Sequence, residues 1–357
     1  MMIRHDWGLL FDPFAHLDAT RDAHLFKYLV IPKAVEIAWE EAPVAILSQP
    51  GAGKSALRLY TEMVYGGTRG VKLAVPYIPD TFDPAPDFHF LYLRGALARA
   101  IANYILSYPD FFLQFTTEKR EEIRSFLSYL PFDLNFFLDV AQHSDSLSEL
   151  ETWLGVRAIS GIDRIGKAHQ EMFKILRQIS VHHAAQDLPE LFAQVRDVFA
   201  IKSVHILLDG ADGFIETIDE QKLLRWITPL LERAEDWGGQ QIFFKFFLPL
   251  DLYDHADTFA RAGVQTAALM WDDSLLAEVI RRRLYVASGG AFDSLDALST
   301  PDLRNVELRL ARKIPASHKT PRRIIRKTTE LLARASQNAD GCIHAQDIEI
   351  EEEKHVA

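Results

Sequence analysis

Residues 43–65 read PVAILSQPGAGKSALRLYTEMVY, and three pieces of different character follow one another there. VAIL is short, apolar and non-alternating, as in a strand buried on both faces. SALRLYTEMV carries the periodicity of a helix. Between them, SQPGAGKS (48–55) places Gly51 and Gly53 where the backbone must turn tightly. Glycine tolerates positive φ and close approach, so successive N–H groups can turn inward and wrap a phosphate. The helix that starts at Lys54 adds its positive dipole end. Lys54 is then placed to reach the β- and γ-phosphates, and the Ser55 hydroxyl to hold Mg2+. Ser48 stands where the GxxxxGK[S/T] pattern has its first glycine, and a small residue can still turn there. The expected nucleotide cradle is Ser48, Gln49, Pro50, Gly51, Ala52, Gly53, Lys54, Ser55 and Ala56.

Outward from the loop, further apolar runs have the same strand-like form: KLAVPYI (72–78), SVHILLD (203–209), QIFFKFFL (241–248) and VQTAALM (264–270). Helical patterns at 54–65, 88–107, 187–199, 219–235 and 252–262 separate them. Strand then helix, repeated, predicts a three-layer α/β fold of the P-loop kind, with a parallel sheet covered on both faces. From about 109 to 185 the pattern is helical only, which reads as a helical insertion. From 272 onward it is helical again, with Leu275, Leu276, Val279, Ile280 and Leu284 on one stripe. The expected organisation is an N-terminal segment (1–42), a core (43–271) carrying the insertion, and a C-terminal helical lid (272–357) with an acidic tail. A winged helix is one form such a lid takes.

A phosphate loop needs a second strand that ends in a carboxylate, and SVHILLDGADGF supplies one. Val204 and Ile206 to Leu208 would bury this strand beside the loop. Asp209 falls at its carboxyl end, where parallel sheets bind ligands and where it can hold Mg2+. Gly210 keeps the next position small. Asp212 is the nearest second carboxylate and the candidate for orienting the attacking water, with Glu216 behind it. A turn with aspartate as its usual polar residue is the plainer reading of DGADG.

SQPGAGKS, LLDGAD and TPRRIIRKTTELLARA (320–335) together resemble the NACHT-type branch of the STAND signal-transduction ATPases, within the wider AAA+-like P-loop group. The resemblance covers about 43–60, 203–250 and 272–335. It implies binding and hydrolysis of ATP with Mg2+, nucleotide-dependent opening and closing, self-assembly and partner proteins. It also implies a catalytic set of Lys54, Asp212 and a lid arginine, Arg322, that reports the γ-phosphate. In that lid helix Thr320 is the expected N-cap and Pro321 the first helical residue. Ile324, Ile325, Thr328, Leu331 and Leu332 form the expected buried stripe, with Arg322 and Arg326 on the other face. The family's polar sensor on the strand after the acidic one corresponds to Lys245, which either snorkels or faces the nucleotide cleft. An arginine finger from a neighbouring subunit would come from Arg225, Arg233 or Arg261.

The chain has 357 residues, 48% hydrophobic and 25% charged, an ordinary globular composition. Its net charge of −11 argues against a general nucleic-acid coat. Locally, residues 281–334 hold thirteen Lys/Arg against five Asp/Glu, while 335–357 hold one Lys against six acids. The basic segment, RRR at 281–283 included, is therefore the candidate DNA-facing surface; a solvated face or an acidic partner accounts for it equally well. Cys342 is alone, the start MMIRHDWGLLFDPF lacks a signal-peptide core, and QIFFKFFLPL is too short and too charged to span a membrane. A cytoplasmic protein with no membrane partner is expected. His182 and His183 are adjacent and cannot chelate one ion from a helix, and His205 reads as a core histidine. FDPFAHLDATRD (11–22) is expected near adenine. Two functions compete: an ATP-driven switch that controls a separate effector, as in defence or stress signalling, and a DNA-loading ATPase of the initiator or transposition-regulator kind. A small-molecule kinase is a third, weaker reading.

Overall fold

The computed structural model describes residues 7–66, 71–83, 85, 88–154, 165–179, 187–215 and 218–349. The five apolar runs form five strands: β1 (Val44–Ser48), β2 (Lys72–Tyr77), β3 (Ser203–Leu208), β4 (Ile242–Pro249) and β5 (Gln265–Ala268). They make one parallel sheet in the order β2-β3-β4-β1-β5. Every residue of β1, β3 and β4 is buried, which is why these strands read as continuous apolar runs. β3 runs in register with both neighbours, Leu208 lying opposite Tyr77 and Phe246.

The order corrects one expectation. The acidic strand does not lie beside the loop strand, because β4 stands between β3 and β1. All three are equally apolar, so their composition carried no information on which is central.

The chain divides into two compact units. Residues 38–46 and 60–266 form one of them, which contains β2, β3, β4 and the amino-terminal parts of β1 and β5. Helices Phe88–Ser107, Leu188–Phe199 and Glu220–Gly239 belong to it, as does the helical region that follows Ser107. Its described residues are largely helical as expected: Thr117–Leu127 and Leu134–His143 start on Thr116 and Asp133, whose side chains accept first-turn N–H groups. Its apolar faces are buried at Phe126, Phe137, Leu138, Met172 and Phe173. His169 ties it inward by donating from Nε2 to the Leu106 carbonyl at 2.8 Å.

Residues 1–37, 47–59 and 267–357 form the other unit. Helices Asp273–Ala287, Val306–Arg312 and Pro321–Ala335 surround an apolar cluster that includes Leu276, Ile280, Leu284, Leu310, Ile324 and Leu331. Phe14 and Val30 of the N-terminal segment complete it. Among the described residues after Ala268, the sheet-like feature is a single parallel bridge between Ser299 and Ile343, and no wing hairpin is assigned. No helix among the described residues is long and apolar enough to cross a membrane. His182, His183, Glu216 and residues 350–357 of the acidic tail lie outside the described residues.

Candidate functional site

The loop after β1 has the backbone that its glycines foreshadow. Gly51 has φ +81° and Gly53 φ +102°, and the Ala52 N–H closes a turn onto the Gln49 carbonyl at 3.1 Å. The helix begins at Lys54, with Leu57 N–H already donating to Gly53 O at 2.9 Å. First-turn N–H groups have no acceptor inside their own helix, so this end favours an anion. Lys54 is buried, and its ammonium donates to Ser48 O at 2.7 Å, Ser48 Oγ at 3.2 Å and Gln49 O at 3.2 Å. The residue that departs from the glycine pattern thus serves the loop as an acceptor for its lysine. Ser55 is half-buried at the second helical position, and Ala56 is buried against Leu25 and Leu59.

Two segments after Ala268 in the same unit touch this loop. The helix Pro321–Ala335 starts as expected, with Thr320 accepting from Arg323 N–H at 3.3 Å and Pro321 at its first position. All five residues of its predicted stripe are buried. Its Arg322 N–H donates to Gly51 O at 3.3 Å. The Arg322 side chain lies directly on Gly51: a Cβ there would stand 2.9 Å from Arg322 Cβ. The second segment precedes the helix Asp273–Ala287, where Trp271 donates from its indole to Ala52 O at 2.8 Å. Nothing in the spacing of the sequence pointed to Trp271.

A cavity of about 470 Å³ opens here, lined by Gln49 and Pro50 of the loop and by His318, Arg322, Arg323 and Arg326 of the lid. Leu17 of the N-terminal segment also lines it. Asp18 next to it is held below the usual carboxylate range: partial burial pushes it up, but Thr20 hydrogen bonds and the charges of Arg21 and Arg322 outweigh that. Three guanidinium groups, an ammonium already in the loop and a glycine-turned backbone suit a polyphosphate. Among the described residues no group of three or more His, Cys, Asp or Glu could hold a metal ion. Ser55 is the residue of this unit whose hydroxyl could contact a metal ion.

The two predicted carboxylates belong to the sheet-bearing unit. Asp209 is buried at the carboxyl end of β3, where its N–H extends the ladder to Tyr77 O at 3.1 Å and its Oδ1 accepts from Gly210 N–H at 2.8 Å. Asp212 is half-buried and opens the short helix Asp212–Ile215. Phe214 of that helix packs edge-on against Trp226 and Phe82, with ring centroids 5.4 and 5.9 Å apart.

Lys245 and the arginines at 281–283 resolve open choices, and His205 matches its expected reading. Lys245 does not snorkel. It is buried in mid-strand and donates to Glu40 O at 2.5 Å and Ala42 O at 2.7 Å, residues just before β1. Burial, followed by the nearby Lys72 charge, brings its pKa down to about 7. His205 is the core histidine expected, fully buried, 3.0 Å from Ser203 Oγ and packed on Tyr65, and burial lowers its pKa to about 2. The RRR cluster is engaged internally. Arg283 is buried with Asp22 at 3.2 Å and over the Tyr28 ring, Arg282 pairs with Glu278 at 2.7 Å, and Arg281 lies 3.9 Å from buried Glu307.

Compared with known proteins, the chain matches no family model, no curated protein and no solved structure.

Proposed function

We propose that this chain is an ATP-binding switch, in which the loop at 48–56 holds the phosphates and the lid helix at Pro321–Ala335 responds to them. The observation that carries this reading is the seating of that helix on the loop: Arg322 N–H bonds Gly51 O, and its guanidinium-bearing side chain covers Gly51. A lid in that position gains or loses contacts according to what the loop holds, which is the differential interaction a switch requires. Lys54 would neutralise phosphate charge, and Arg322, with Arg323 and Arg326 at the cavity, would read the terminal phosphate. Bound magnesium would supply charge neutralisation on the phosphate oxygens, with Ser55 as the residue of the loop's own unit that would hold it. The metal role of Asp209, which is buried at the end of β3 in the other unit, rests on the resemblance alone.

Hydrolysis through Asp212, self-assembly and control of a separate effector belong to the same proposal and rest on the resemblance of SQPGAGKS, LLDGAD and the PRR helix to STAND and AAA+-like ATPases. The DNA-loading reading draws less support, since the arginines at 281–283 are satisfied inside the chain.

The test is a titration of the full chain with fluorescent ATP in the presence of Mg2+. Wild type is expected to saturate, and Lys54→Ala to bind roughly a hundredfold more weakly, as the loss of several charge-assisted hydrogen bonds implies. A flat wild-type titration sinks the proposal.

A further inference from the structure

The two halves of the loop are fixed by different means. Gly51 is crowded, since Arg322 occupies the space next to it. Gly53 is open: a Cβ there would meet nothing within 4 Å, and its φ of +102° is one that glycine enters at little cost. The flanks of the Ala52–Gly53 peptide are tied by Ala52 N–H to Gln49 O and by Leu57 N–H to Gly53 O. Its own carbonyl is held by the indole of Trp271, which donates to Ala52 O at 2.8 Å.

That bond has a directional consequence. The chain contains no cis peptide among its described residues, and in a trans peptide the carbonyl and the following N–H point to opposite sides. With Ala52 O turned to Trp271, Gly53 N–H is turned the other way. Trp271 is itself well anchored. It immediately precedes Asp272, which caps the helix Asp273–Ala287 by accepting Leu275 N–H at 2.8 Å. It packs on the same apolar cluster as Leu276, in the place of a hydrophobic staple. An ion pair between Lys319 and Asp273 links the first turn of this helix to the segment that starts the Arg322 helix.

Resting on the nucleotide-binding reading above, we infer that Trp271 is a positioning residue for the phosphate loop: its indole N–H aims the Gly53 amide toward the polyphosphate and couples that aim to the start of a lid helix. Linkage makes the coupling reciprocal, so nucleotide tightens the indole bond by the factor by which the bond tightens nucleotide.

The test compares wild type with Trp271→Phe, which keeps an aromatic ring on the apolar cluster, removes the donor and gives up one ring of the indole. Affinity for MgATP is measured by calorimetry. In wild type carrying 15N-labelled tryptophan, the indole resonance missing from Trp271→Phe is followed for hydrogen exchange with and without MgATP. The variant is expected to bind roughly five- to tenfold more weakly, the worth of one hydrogen bond, and saturating MgATP to slow the wild-type indole exchange by a similar factor. Should Trp271→Phe fail to fold, the exchange measurement decides alone. Equal affinities, or exchange indifferent to MgATP in a wild type that binds it, overturn this inference and leave the switch reading standing. A wild type that does not bind MgATP overturns both.

Discussion

Gly51 and Lys245 mark the two ends of what single residues disclosed. Gly51 was legible because its demand is local: a loop that turns between a strand and a helix needs positive φ, and the +81° found there is that demand met. Lys245 was not, because its partners are backbone carbonyls at Glu40 and Ala42, some two hundred positions earlier in the chain, and carbonyls leave no trace in residue identity. Its burial also makes a pH prediction. The folded chain releases the Lys245 proton at about 7, whereas an unfolded lysine keeps it to about 10.5. Between those values the unfolded state binds one proton more than the folded state, so stability rises with pH across the window, by up to about 1.4 kcal/mol per unit. Chemical unfolding from pH 7 to 10 is expected to show that rise, and Lys245→Met to flatten it. An unchanged slope in the variant would move the effect to another group.

At the scale of elements, the five strands and the helices between them were readable because each is set by its own local apolar run or period; KLAVPYI at 72–78, for example, becomes β2 at Lys72–Tyr77. Their order was not, since exchanging β3 and β4 in the sheet would leave every strand as buried as before. The same distinction applies to the helix Asp212–Ile215. Four residues are too few to hold a helix by their own hydrogen bonds, so tertiary packing must fix it. Phe214 supplies that packing through Trp226 and Phe82, in a pocket of aromatic rings that no local pattern announced. If Asp212 orients the attacking water, Asp212→Asn is expected to keep ATP affinity and cut phosphate release by at least tenfold. Phe214→Leu should lower turnover less, several-fold, again with affinity retained. Normal phosphate release by Asp212→Asn would remove Asp212 from the reaction, and a matching loss of affinity in Phe214→Leu would show a general structural defect.

For the molecule as a whole the decisive quantity is charge, and the fold gives part of the local basic excess partners within the chain. Residues 281–334 are basic on paper. In the fold, Arg283 is buried against Asp22, Arg282 and Arg326 pair with acids one turn away, and Lys319 pairs with Asp273. Arg322, Arg323 and Arg326 line the cavity beside the loop at 48–56. Counterion release requires cations that can reach successive phosphates along a duplex, and a chain of net charge −11 adds a repulsive background to those that remain, such as Arg309 and Arg312. Anisotropy of a labelled duplex at 150 mM salt is therefore expected to give no tighter than about micromolar binding, the nonspecific level, and no response to ATP. Tight, ATP-dependent binding whose logarithm falls with log salt at a slope of about −6 or steeper would mean that six or more phosphates are contacted. The lid would then be a DNA surface, and the DNA-loading ATPase would displace the switch.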